Sequence, residues 1–196
     1  MKHTGPSRNN RVTARLFLLA SFLAGHAAVA AGSRDLADEV QEAAGVTNGL
    51  CVQLGFSSPA LLKGLTQSGR FVAFGLSPKR EWVAAARTEL LADGLSGLAS
   101  VDVGTLKDIP CVNHLVNLLV AEDAPSLLQG GLPAAELGRV LAPAGAACLG
   151  TSPDGARAVE AALAQAGLAD IRTVKLSRTW IVARKLRPAG MDDWTH

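Results

Sequence analysis

Apolar runs alternate with helix-like patterns along most of the chain. Residues 34–44 set Leu36, Val40 and Ala43/Ala44 at helical spacing. Gly49–Gly55 is a short apolar run closed by glycine, which predicts a buried strand. Pro59–Gln67 reads as a helix with proline in its first turn. Arg70–Gly75 predicts a second strand. A helix is then expected from Ser77-Pro78 to about Ala92, with serine as cap and Trp82 on its buried face. Leu98–Val103 and Leu115–Ala121 predict two more strands, and Pro133–Leu141 a helix stopped by Pro143. Gly145–Gly150 reads as a fifth strand and Asp154–Ala166 as a helix ended by Gly167. Ile171–Leu176 and Trp180–Lys185 predict two closing strands.

Strand and helix in repeated alternation predict parallel βαβ units, hence an α/β fold with a doubly wound sheet. Only Ser177-Arg178-Thr179 separates the final two strands. That is too short for a crossover, so they must pair as an antiparallel hairpin. The expectation is a Rossmann-like seven-stranded sheet in the order 3-2-1-4-5-7-6.

The two ends of the chain break the pattern. Residues 1–15 are polar and basic, residues 16–25 are continuously apolar, and Ala28-Val29-Ala30 is a small-x-small triplet. This is the layout of a cleaved signal peptide, with the mature chain starting at Ala31. The apolar run is short of the roughly 20 residues a spanning helix needs. The reading is therefore a signal peptide over 1–30, a domain over 31–187, and a linker or tail over 188–196. Export to the periplasm or medium follows, with no stable membrane span after cleavage.

Charge changes its meaning once the leader is set aside. The 196-residue chain has 19 Lys+Arg against 17 Asp+Glu, net +2. Lys2, Arg8, Arg11 and Arg15 lie in the leader, which has no acid. The remainder is slightly acidic, with no basic face of the kind a nucleic-acid partner needs. Hydrophobic residues at 48% and charged residues at 18% exclude a disordered chain. Cys51, Cys111 and Cys148 are odd in number and fit no metal spacing, so they read as core residues. No two histidines form a ligand pair; His114 opens an apolar run and reads as structural.

Before the fifth strand stands Gly138-Arg139-Val140-Leu141-Ala142-Pro143-Ala144-Gly145. It resembles the RVL-x-P-G-G phrase of the class I S-adenosylmethionine-dependent methyltransferases, with Ala144 in place of the first glycine. The resemblance spans residues 45–186. The tail, Arg187-Pro188-Ala189-Gly190-Met191-Asp192-Asp193-Trp194-Thr195-His196, resembles a junction in large exported bacterial proteins. There a methyltransferase-like domain precedes a pyrroloquinoline-quinone-type β-propeller, which implies a downstream propeller as partner.

The resemblance also implies where S-adenosylmethionine would sit. The family's first strand ends in an acidic-x-Gly-x-Gly-x-Gly loop around the methionine and ribose portions. The matching residues here are Gln53, Gly55, Ser57 and Pro59, with Phe56 between, so one glycine is kept and the acid is lost. The acid that would grip both ribose hydroxyls falls at Leu76-Ser77, and the adenine-side position at Thr105-Leu106. Glu122, with Asp123, stands on the substrate side after the fourth strand. Each position has a second reading. Gly55 also serves as a plain turn, Ser77 as a helix N-cap before Pro78, and Glu122-Asp123 as the cap of a helix at Ala124-Pro125. No catalytic residue stands out, because methyl transfer rests mainly on alignment. Two functions follow: a methyltransferase with eroded cofactor motifs and weak or lost activity, or a non-catalytic interaction module of an exported multidomain protein. A nicotinamide oxidoreductase ranks last, since no G-x-G-x-x-G follows the first strand.

Overall fold

A computed structural model describes residues 36–190. The leader and Trp194 lie outside the described residues. Helix α1 runs through 36–44. It is followed by β1 (Gly49–Leu54), α2 (Ala60–Gln67), β2 (Phe71–Ser77), α3 (Arg80–Ala92), β3 (Ala99–Val103) and β4 (Val116–Ala121). Then come α4 (Ala124–Gln129), α5 (Ala134–Val140), β5 (Leu141–Thr151), α6 (Ala156–Gln165), β6 (Ala169–Lys175) and β7 (Thr179–Arg184).

The sheet order is β3-β2-β1-β4-β5-β7-β6, and β7 alone runs antiparallel to its neighbours. This is the predicted topology. Both faces are covered, as a parallel sheet requires. On one face Ala37, Val40 and Ala44 of α1 and Leu61 and Leu65 of α2 pack on Cys51, Leu118, Val120, Cys148 and Trp180. On the other, Leu137, Val140, Val159 and Leu163 of α5 and α6 cover Val52, Leu119, Leu149 and Ile181. A third cluster joins α3 to β2 and β3 through Val83, Ala86, Ala73 and Val101. Alternate residues of each strand serve opposite faces.

Arginines from the hairpin close the end of α1. Arg172 Nη2 donates to Ala43 O at 2.7 Å, and Arg184 Nη2 to Ala44 O at 2.8 Å. Cations at a helix C-terminus satisfy carbonyls and complement the helix dipole. At the opposite edge of the sheet, Arg87 donates from Nε and Nη2 to Val101 O, at 3.1 and 3.0 Å.

Several expected boundaries move. Strand β2 extends to Ser77, so Ser77 ends a strand and does not cap α3; Lys79 occupies the cap position without a side-chain bond. The Ser77 hydroxyl instead accepts from Lys79 N at 3.3 Å. Trp82 is 37% exposed, not core: α3 buries Val83, Ala86 and Leu90, a face that leaves position 82 outside. Helix α5 ends at Val140 because Leu141 turns extended and enters β5. Pro143 therefore lies in the strand, at an irregularity where Val116 and Leu118 of β4 face Leu141 and Ala146. Bulges are where a strand tolerates proline. The left-handed residue of that bulge is Ala144, at φ 63°, and not Gly145. Gly145 has a different role: a Cβ there would meet Val116 O at 2.8 Å. The short helix α4 stands where the second reading of Glu122-Asp123 set a capped helix, at Ala124-Pro125.

His114 is exposed and has positive φ, at 63°, and its Nδ1 lies 2.7 Å from Lys185 Nζ, which donates to Gly138 O.

Candidate functional site

The strand order reverses between β1 and β4, which opens a crevice at the carboxyl ends of the strands. Gln53, Gly55, Ser77, Thr105 and Glu122 end or follow four neighbouring strands on this edge. The structure brings them to one side but divides them between two unlike halves.

Above β1, Leu127 lies over Gly55. Gly55 has φ 67°, which suits glycine, and its open side faces Leu127. A Cβ at Gly55 would lie 2.5 Å from Leu127 Cδ2. Leu127 reaches this point because α4 begins directly at the end of β4. Asp123 starts that helix: its carboxylate accepts from Ser126 N at 3.3 Å and from Ser126 Oγ at 2.6 Å. Of the two acidic residues at this turn, Asp123 is thus a helix cap.

Glu122 is held in a polar chain. Gln53 Nε2 donates to Glu122 Oε1 at 2.9 Å, and Arg178 Nη1 lies 3.1 Å from Glu122 Oε2. Arg178 comes from the β6–β7 turn and also stacks 5.5 Å from the Trp180 ring centroid. The turn is anchored to α1, since Glu39 Oε1 accepts from Ser177 N at 2.9 Å and Oε2 from Trp180 Nε1 at 3.5 Å. Burial opposes the Glu39 charge, but the Ser177 and Trp180 bonds and the Arg178 charge outweigh it and hold its pKa below the ordinary value. Gln53 is fully buried and its Oε1 has no partner. An unpaired buried acceptor costs about 1–3 kcal/mol, so it marks a place where a donor is missing.

The other half is open. A cavity of about 520 Å³ lies beyond β2 and β3. Its walls are Pro78, Val103 to Lys107, and Ser126, Leu127 and Gly130 around α4. Thr105 and Leu106 line it. Leu76 approaches it closely from behind: a Cβ on Gly104 would lie 2.7 Å from Leu76 Cδ1. The remaining expected residues do not reach it with their side chains. Phe56 is buried against Leu62, Ala73 and Val83, because its ring fills the space over Gly75. Ser57 is exposed on the loop, and Ser77 is buried, its hydroxyl accepting from Lys79 N.

Arg139 ties α5 to the β3–β4 loop. It forms a two-pronged pair with Glu136, at 2.6 Å from Nε and 2.7 Å from Nη2. It also donates to Ile109 O at 2.8 Å and Cys111 O at 2.7 Å. Glu136 Oε2 accepts from Ile109 N at 2.8 Å. These bonds pin the β3–β4 loop so that buried Ile109 anchors it next to Thr105–Lys107. The Arg139 bonds hold the Glu136 carboxyl below its ordinary pKa against the opposing effect of burial, with the Ile109 bond adding to them.

Sequence reasoning missed Leu127, Lys107 and Arg178. A signal for Leu127 was present: Asp123 followed by Ala124-Pro125-Ser126 is a helix start, and a helix started there must set a side chain above β1. Arg178 had no local signal, as its partner Glu122 is remote in sequence. Among the described residues no His/Cys/Asp/Glu group could hold a metal, and no helix is long and apolar enough to cross a membrane.

No family model matches the chain, and no curated protein matches it in sequence. Solved structures do match in fold. A Methanococcus maripaludis protein, provisionally described as an S-adenosyl-L-methionine-dependent methyltransferase, aligns with TM-score 0.68 at 14% identity. The alignment covers 97% of this chain and 100% of that one. The geranyl diphosphate C-methyltransferase of Streptomyces coelicolor, solved with S-adenosyl-L-homocysteine, aligns with TM-score 0.65 at 12% identity, over 78% of this chain and 79% of that one. The [4+2]-cyclase SpnF aligns with TM-score 0.63 at 15% identity, over 78% of this chain and 80% of that one. The fold is thus the Rossmann-like fold of the S-adenosylmethionine-dependent methyltransferases. Fold alone leaves the chemistry open, as the cyclase among these structures illustrates.

At the positions that the resemblance aligns with the cofactor, residues 53 and 77 carry no carboxylate, and Leu127 lies over Gly55.

Proposed function

We propose that this chain is a methyltransferase-like domain that has given up tight S-adenosylmethionine binding and methyl transfer, and serves as a binding module of an exported multidomain protein. The observation that carries the reading is Leu127 seated over Gly55. The Gln53–Glu122–Arg178 chain supports it, because it engages the Glu122 carboxylate at the end of β4. The first-strand loop adds Ser57 and Pro59 where the family has glycines, so backbone and ligand are kept further apart.

Export and a downstream β-propeller partner belong to the same proposal. They rest on the basic, apolar and small-x-small order of residues 1–30 and on the resemblance of residues 187–196. Outside the cytoplasm the domain would have no ready supply of a cofactor made inside cells, which agrees with a crevice that has closed.

A weakly active enzyme is the second reading, favoured by one observation: the unpaired Gln53 Oε1 could accept a bond from a ligand amino group. The two separate in a calorimetric titration of the full chain with S-adenosylhomocysteine. Loss of two charge-assisted bonds, at about 1.5–3 kcal/mol each, weakens binding by roughly a hundredfold or more. The module reading expects no saturation in the micromolar range. Low-micromolar saturation would establish the enzyme reading instead.

A further inference from the structure

We propose that the C-terminal segment of this chain, residues 186–194, folds back over the amino-end half of β1, β2 and β3 and covers an aliphatic row there with Met191 and Trp194. The inference does not depend on the state of the crevice at the opposite strand ends.

Both faces of the sheet carry helices, but on the face of α5 and α6 the cover stops short of an edge. A helix in each crossover is what normally buries a parallel strand on its second face. The crossover from β3 to β4, residues 104–115, has none. Arg139 holds this loop toward α5 through Ile109 O and Cys111 O. Helix α5 itself sits over β5, and α6 over β5 and the closing hairpin. Phe71 and Ala73 face the helices on the other side of the sheet, so alternation turns Val72 and Phe74 to the thinly covered side. Register then sets three aliphatic residues side by side. Leu50 pairs with Val72, and the pairing of Ala73 with Ala99 places Leu98 beside Val72. Val72 lies in an interior strand yet is 50% exposed, and Leu98 is 42% exposed.

The same row continues across the sheet to the point where the chain leaves it. Asn117 Oδ1 accepts from Leu50 N at 2.9 Å, and a Cβ on Gly145 would lie 3.2 Å from Asn117 O. Lys185 N donates to Gly145 O at 2.9 Å. The Lys185 side chain is on the face in question, since its Nζ donates to Gly138 O of α5. Leu186 follows, 62% exposed. A turn comes next at Ala189-Gly190, with Gly190 at φ 94°, the glycine geometry of a chain reversal. From β7 to β2 is four strand spacings, about 19 Å. Trp194 lies nine residues beyond Lys185, a reach of up to about 30 Å when extended, which leaves room for the turn. Met191 and Trp194 are the large apolar residues of this stretch after Leu186. A flexible thioether and a broad indole suit an uneven aliphatic row. Attachment to the same chain gives the segment a high effective concentration that a separate partner lacks.

The neighbouring edge is guarded against a second copy adding a strand. Arg87 donates to Val101 O, and Asp102 Oδ1 accepts from Val103 N at 2.9 Å, so polar groups on β3 are already engaged by charged side chains.

The test uses the full chain carrying Trp82→Phe, which leaves buried Trp180 and Trp194 as the emitting residues. Acrylamide should quench Trp194 far more slowly than a free tryptophan derivative, and Val72→Asp should bring the rate close to the free value. In melting temperature, Val72→Asp and Trp194→Ala should be non-additive by about 2–4 °C, as residues in contact are. Leu91→Asp, at a 70% exposed site on α3, should be additive with Trp194→Ala. Free quenching of Trp194 in the parent chain, or additive shifts for Val72→Asp and Trp194→Ala, overturns the inference. Protection of Trp194 that disappears on dilution, with a dimer in sedimentation, also overturns it, because a second copy would then be the occupant. None of these readouts involves S-adenosylmethionine, so their failure leaves the reading of the crevice untouched.

Discussion

Gln53 stands where the resembled family has an acid, and the change reaches beyond one lost ligand contact. Its amide donates to Glu122, something a carboxylate could not do. Gln53→Glu would put a buried carboxylate against the half-buried Glu122, and like charges at that range cannot both ionise easily. We expect the variant to lose on the order of 3 kcal/mol of stability at neutral pH, since an unpaired buried charge is among the costliest single changes. Denaturant titrations at pH 7 and pH 5 should show the loss shrink as pH falls and one carboxyl takes up a proton; an unchanged midpoint at pH 7 would contradict the burial argument. Glu136 and Glu39 have the opposite pH signature. Their folded pKa values are below the ordinary one, so their contribution is full above the ordinary carboxylate range. It is lost as pH falls through the folded values. Glu136→Gln should therefore flatten the acid limb of the stability–pH curve, and a limb of unchanged slope would show that the Arg139 pair does little there.

At the scale of elements, the decisive feature is how α4 and the β5 bulge meet the sheet. Ala144 holds φ 63° without the freedom of glycine. Left-handed conformation costs a non-glycine residue about 1–2 kcal/mol, so Ala144→Gly should stabilise by about 1 kcal/mol after the unfolded-state entropy is subtracted. In a domain of this size that is a rise of about 2–4 °C in melting temperature, measurable by calorimetry. A fall would mean that the bulge is not strained. The phrase around Arg139 shows what was legible. Periodicity and the proline located the helix-to-strand junction, and the strand order followed from the hairpin length. The details at the junction were not legible, because Leu141 and Pro143 take strand geometry from pairing with β4, a tertiary effect. Trp82 was misread for a related reason: α3 buries a narrow stripe through Val83, Ala86 and Leu90, and a large apolar side chain one position away lies outside it. Within the site, Gly55, Ser77 and Thr105 could be aligned by strand ends. Leu127 and Arg178 could not, since their importance lies in what they contact across the crevice.

Among the described residues, three apolar clusters pack about the sheet, with the Gln53–Glu122–Arg178 chain at the strand ends. Cys51 and Cys148 are free and buried in the same cluster. Burial pushes the Cys148 thiol up to about 12, and that of Cys51 higher, which leaves neither as a reactive thiolate at neutral pH. Both should resist alkylation until the domain unfolds as a unit, while half-buried Cys111 should label earlier. Mass spectrometry of peptides after timed labelling checks this; early labelling of Cys148 would show that the sheet's centre opens locally.

The most direct test of the account is a side-by-side calorimetric titration of S-adenosylmethionine into the full chain and its Leu127→Ala variant. Removing the side chain over Gly55 restores the space that the first-strand loop would offer a ligand. The account predicts no micromolar binding by the unmodified chain and a gain of about tenfold or more in the variant, which is about 1.4 kcal/mol. Low-micromolar binding by the unmodified chain, or no change in the variant, would contradict a crevice closed by Leu127.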